Sequence, residues 1–166
     1  CLQWCQEHFA SDNRLSFMAP PLPSADSLSQ RYDLVLAKSL FTHLVPSEAV
    51  HYLNSMAARL SDNGRVILTA FLFDELSSVP ALPHSRMNGR VRHRSLFRPR
   101  AAVGFDRLLF AEWVANAGLE VHQSHLWFWP GHHAALSAQD ILVCRKRGSQ
   151  ALVPSATASA SPTAIA

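Results

Sequence analysis

Tyr32-Asp33-Leu34-Val35-Leu36-Ala37, then a stripe of Ala49, Val50, Leu53, Met56, Ala57 and Leu60, then Arg65-Val66-Ile67-Leu68-Thr69-Ala70-Phe71, is the stretch that decides the architecture. The first run is almost continuously apolar and follows polar turn residues, the pattern of a strand buried on both faces of a parallel sheet. Between Pro46 and Leu60 the apolar positions share one helical face. Pro46 lies in the first turn and Asp62-Asn63-Gly64 follow just past the end. Residues 65 to 71 are again rich in strand formers. Strand, helix and strand in succession predict a right-handed crossover unit.

Toward the N-terminus, Leu2 to Ala10 reads as a helix with Leu2, Cys5 and Phe9 on one face. Arg14 to Ala19 reads as a short strand ahead of the Pro20-Pro21-Leu22-Pro23 break. Toward the C-terminus, residues 74–104 carry prolines, glycines and arginines without a clear period, which predicts an irregular excursion with room for a short helix. An amphipathic helix follows from Phe105 to Ala117, with Phe105, Leu108, Leu109, Trp113 and Ala117 inward and Gly118 closing it. Leu119 to Phe128 and Gln139 to Arg145 are two further strands. The connection between them, with Trp129-Pro130-Gly131-His132-His133, is too short for a parallel crossover, so it predicts an antiparallel hairpin. Residues 1–147 thus form one unit, and the Ala, Ser, Thr and Pro of 148–166 predict a disordered tail.

Composition narrows the function classes. The 166 residues are 48% hydrophobic and 16% charged, enough for one domain with its own core. No apolar run approaches the roughly 20 residues of a membrane span. Three cysteines make no even disulfide framework, which predicts a reducing, cytoplasmic setting. The net charge of +3 is mild but concentrated. Arg86, Arg90, Arg92, Arg94, Arg98 and Arg100 fall in a stretch without an acidic residue, which is either an anion-recognition surface or a solvated basic loop. No aromatic platform interleaves them, so nucleic acid is not the expected partner. His122, His125, His132 and His133 have no completing Cys or carboxylate set, so no metal site is expected. Ser39 lacks the Gly-x-Ser-x-Gly setting of a hydrolase nucleophile.

Several motifs, in order, resemble the class I S-adenosylmethionine-dependent methyltransferases. Tyr32-Asp33-Leu34-Val35 through Ser39-Leu40-Phe41-Thr42-His43-Leu44 is similar to that family's fourth strand and following loop. Leu60-Ser61-Asp62-Asn63-Gly64-Arg65-Val66-Ile67-Leu68-Thr69 is similar to its helix end, turn and fifth strand, with Asp62 and Asn63 standing where Pro and Gly are usual. Phe105-Asp106, Ala117-Gly118-Leu119, Trp129-Pro130-Gly131 and Gln139-Asp140-Ile141-Leu142-Val143 resemble a small-molecule subgroup. The fold implied is α/β, a partial Rossmann-like doubly wound sheet, mostly parallel with a C-terminal antiparallel hairpin. The family's strand order is 3-2-1-4-5-7-6, and its Gly-rich loop would precede Cys1. The resemblance therefore implies an N-terminally truncated domain that folds weakly and is inactive alone.

The activity implied for the intact parent is methyl transfer from S-adenosyl-L-methionine to a small-molecule or glycan-like acceptor. The alternatives are a non-catalytic remnant or interaction module, or another doubly wound nucleotide-binding enzyme such as a dehydrogenase. Ligands of such folds bind beyond the carboxyl ends of the strands. By resemblance, Ala37, Lys38 and Ser39 hold the cofactor. His43 is a candidate base or a structural histidine of the loop, and Asp74 either orients the acceptor or starts a solvated loop. The excursion covers the acceptor side, with Arg90 and Arg92 for an anionic group and Trp129 at the pocket border.

Overall fold

The computed structural model describes residues 2–17, 31–74, 82–125 and 139–148. Three α-helices are present among them: α1 (Leu2–His8), α2 (Pro46–Arg59) and α3 (Arg107–Asn116). The seven strands are β1 (Tyr32–Ala37), β2 (Leu60–Phe73), β3 (His84–Arg86), β4 (Val91–His93), β5 (Val103–Asp106), β6 (Leu119–His125) and β7 (Asp140–Lys146). They form one sheet in the order β3-β4-β5-β2-β7-β6, with β1 also paired to β2.

The crossover from β1 through α2 to β2 forms as the apolar spacing predicts, and β1 lies parallel to β2. β7 runs antiparallel to β2 and to β6, so the terminal pair is antiparallel within the same sheet. The sheet is mixed, however, not mostly parallel. Among the described residues only β1·β2 and β2·β5 are parallel ladders, while β2·β7, β6·β7, β4·β5 and β3·β4 are antiparallel. The difference arises in the excursion. There β3, β4 and β5 extend the sheet where no period was readable, because strands of three or four residues are too short to show one.

β2 explains how the core is placed. Val66, Leu68, Ala70 and Leu72 alternate onto one face and pack with Ala49, Leu53 and Met56 of α2 and Leu109, Phe110 and Val114 of α3. The opposite face is only partly covered. Leu34 and Leu36 of β1 are 59% and 66% exposed, which corrects the expectation of a strand buried on both faces. No buried residue comes from α1, so its Leu2, Cys5 and Phe9 face is not a core face. At the start of β2 the predicted turn residues are absorbed into the strand, and the β1 register jumps between Tyr32 and Leu34. Gly64 is needed there, since a Cβ would stand 2.8 Å from the Leu60 side chain and 2.9 Å from the Tyr32 carbonyl oxygen.

Other expectations shift at element ends. Residues 14–17 are not a strand, and 18–30 lie outside the described residues. Asp106 caps α3 by accepting the Leu109 amide at 2.9 Å, so the helix starts at Arg107 and Phe105 belongs to β5. Leu109, Phe110 and Val114 are the buried set of α3 and Trp113 and Ala117 pack partly buried against the core, while Leu108 is 68% exposed. Cys144 faces the core, and burial pushes its thiol up to about 12, so it behaves as an inert apolar group. The 149–166 stretch and the loop with Trp129, His132 and His133 lie outside the described residues.

Candidate functional site

The carboxyl ends of β1 and β2 meet in a hydrogen-bonded knot. Ser39 adopts a left-handed backbone with φ 56, which turns the chain sharply off β1. Its amide donates to Thr69 Oγ1 at 2.8 Å, and Thr42 Oγ1 donates to the Ser39 carbonyl at 3.0 Å. Thr69 Oγ1 in turn donates to Gln139 Oε1 at 2.5 Å, and Gln139 Nε2 donates to Ser39 Oγ at 3.1 Å. Three chain segments separated by 30 and 70 positions are thereby tied at one rim. Next to it, the buried carboxylate of Asp140 accepts the Leu72 amide at 2.8 Å. The β2·β7 ladder ends at the Ala70 and Asp140 pair, so this side chain serves as one more rung.

Of the three residues expected to hold the cofactor, Ala37 is buried, Lys38 is exposed and the polar groups of Ser39 are taken up within the knot. Ala37 is small enough for a ligand to approach the backbone, and Lys38 can meet a carboxylate. The short run supplies one cation and no acidic partner for ribose hydroxyls. Thr69, Gln139 and Asp140 were not singled out for a role from the sequence. The Gln-Asp pair opening the last strand was the only signal, and it specified no contact.

His43 follows in the 3-10 turn Phe41–His43. Its Nδ1 lies 2.8 Å from the Arg100 carbonyl oxygen, an acceptor, so Nδ1 carries the proton and a neutral ring presents Nε2 as acceptor. Arg100 also donates to Glu48 at 2.6 Å, and Glu48 accepts the Val45 amide at 3.1 Å at the start of α2. His43, Glu48 and Arg100 thus fasten the 3-10 turn Pro99–Ala101 against the α2 entry. Asp74 is held by Arg107 Nε at 2.9 Å. Arg90 bridges Asp106 at 3.2 Å and Glu112 at 3.3 Å, whereas Arg92 has no carboxylate partner among the described residues. A cavity of about 250 Å³ lies among Pro46, Met87, Val91, His93 and Pro99, on the face of β4 opposite Arg92.

The Arg100 guanidinium, and then the Val45 amide, hold the Glu48 carboxyl below its ordinary value of 4.5. A depressed carboxylate contributes stability that is complete above the unfolded-state value and lost as pH falls through the folded one. Acidification from about pH 4.5 downward is therefore expected to loosen the Pro99–Ala101 turn. Glu48→Gln should flatten that part of the pH–stability curve in thermal melts. An unchanged slope in the variant would show that the contact contributes nothing.

No family model matches the chain. In architecture it is similar to solved structures that include small-molecule methyltransferases, at identities that speak to fold alone. Burkholderia thailandensis 1,6-didemethyltoxoflavin-N1-methyltransferase, with bound 1,6-didemethyltoxoflavin and S-adenosylhomocysteine, is 22% identical with a TM-score of 0.56 over 87% of this chain and 56% of that chain. The mitomycin 7-O-methyltransferase MmcR is 15% identical, with a TM-score of 0.54 over 87% of this chain and 38% of its own. LepI in complex with S-adenosylmethionine is 12% identical, with a TM-score of 0.52 over 71% and 27%. The chain therefore spans about half or less of the solved chains it matches.

Proposed function

We infer that this chain is part of an enzyme that moves a methyl group from S-adenosylmethionine to a small-molecule or glycan-like acceptor. One observation carries the reading. The order β1-β2-β7-β6, with β7 antiparallel to both neighbours, fits the 4-5-7-6 half of the methyltransferase sheet. When bound, S-adenosylmethionine supplies a methyl group activated on a sulfonium, so the protein's work is positioning and proton removal. Ala37 and Lys38 line the cofactor wall. Ser39 is a positioning residue, held by Thr69 and Gln139. His43 takes the acceptor proton on Nε2, with Nδ1 fixed on Arg100, and Asp74 orients the acceptor from the end of β2. The excursion borders the acceptor.

The domain proposed spans 1–147, in a cytoplasmic setting. Among the described residues β1 has a single ladder, and this, with its exposed Leu34 and Leu36, supports weak ligand binding by the chain alone. Calorimetric titration of S-adenosylhomocysteine, into this chain and into a version extended upstream of Cys1, tests the reading. Saturable binding by the extended version, weakened by Lys38→Ala, is expected. Heat from neither protein would overturn cofactor binding and leave a non-catalytic interaction module.

A further inference from the structure

The arginines around the excursion divide into distinct groups. Arg90, Arg100 and Arg107 each meet a carboxylate. Arg86, Arg94 and Arg98 are exposed to solvent. Arg92 alone is half-buried without one among the described residues, and its Nε is enclosed with no hydrogen-bond acceptor.

The backbone places this side chain with little freedom. Val91 and His93 are buried on one face of β4, so Arg92 stands on the other. Across the ladders it faces Gly104, which in turn faces Phe71 of β2. Gly104 brings no side chain, and Leu82 takes the space: a Cβ there would lie 2.6 Å from Leu82 Cδ1. Phe73 and Leu82 pack with Phe71 and Ala102 into a small apolar floor. The guanidinium carbon lies 5.1 Å from the centre of the Phe73 ring. A ring satisfies the face of a guanidinium, whereas its N–H donors point outward in the plane. The enclosed Nε–H therefore bears a desolvation cost that Phe73 does not relieve.

We propose that Arg92 binds the carboxylate of an acceptor that is otherwise apolar, through an end-on fork from its two Nη groups. A planar carboxylate matches that fork and supplies the counter-charge that the half-buried guanidinium lacks among the described residues. The apolar floor favours a monoanion on a ring or short aliphatic body, since a phosphate dianion gives up more hydration there. Arg90 cannot take this role while Asp106 and Glu112 hold it. The assignment deepens the acceptor side of the methyl-transfer reading and rests on it for the ligand's identity as a substrate.

Arginine Nε–H resonances of the ¹⁵N-labelled protein report on binding at each guanidinium, with benzoate as probe and benzamide and inorganic phosphate as comparisons. One resonance, missing in Arg92→Lys, is expected to shift saturably with benzoate and not with benzamide. Arg92→Lys keeps the charge and loses the fork, so it should bind benzoate at least about tenfold more weakly. Phe73→Leu should keep the Nε shift with a smaller loss of affinity. The backbone amide spectrum of each variant reports that it is folded. An unmoved Arg92 resonance, or an equal response to benzamide, overturns the proposal, and an equal response to phosphate overturns the carboxylate assignment. Benzoate binding at Arg92 without S-adenosylhomocysteine binding would retain the anion site and remove methyl transfer.

Discussion

Phe110→Ala is expected to cost about 3–5 kcal/mol of stability, a large part of what holds a domain of this size. Phe110 is 1% exposed. Its ring stands edge-on to Phe41 at 5.5 Å and lies 5.6 Å from Phe105 and 6.3 Å from Trp113, centre to centre. It therefore joins α3 to β5 and to the 3-10 turn that carries His43. Removing it opens a cavity that three separate elements would have to close together. Urea unfolding should show the loss, with Phe110→Leu recovering much of it. A cost under about 1 kcal/mol would mean that these elements do not share one core.

Asp140→Ala is expected to cost about 1–3 kcal/mol, because the Leu72 amide is left buried without an acceptor. The same change frees the neighbouring Gln139 from a fixed strand start, so the Ser39–Thr69–Gln139 knot should loosen with it. Hydrogen exchange separates this from general destabilisation. Leu72 should lose more protection than Leu68, which lies within the β1 and β7 ladders. Asp140→Asn, which keeps a side-chain oxygen, should lose less than Asp140→Ala. Equal protection at both amides would sink the idea of an added rung.

The elements near the crossover were legible because their signals are local. The stripe through Ala49, Leu53 and Met56 needs only its own spacing to mark an inward face. The run 65–71 reads as a strand for the same reason, although β2 extends beyond it at both ends. The excursion was illegible because β3, β4 and β5 owe their existence to ladders, not to periodicity. On α3 the stripe of Leu109, Trp113 and Ala117 was legible from its spacing, whereas the exposure of Leu108 was not, since which side of a largely apolar helix the sheet covers is decided by packing. The rim was legible as a place, through Ala37, Lys38 and Ser39, and not as a set of contacts.

By itself the sequence determined the order of strand, helix and strand, the antiparallel close and the concentration of arginines in one segment. The tertiary structure alone decided that β3 to β5 join the sheet, and that Gln139 and Asp140 tie the rim. It also decided that Arg90 is engaged by carboxylates while Arg92 lies over Phe73. The physical reason is range. Periodicity is written residue by residue along the chain, whereas a guanidinium's partner is set by which distant carboxylate or ring the folded sheet brings within a few ångströms.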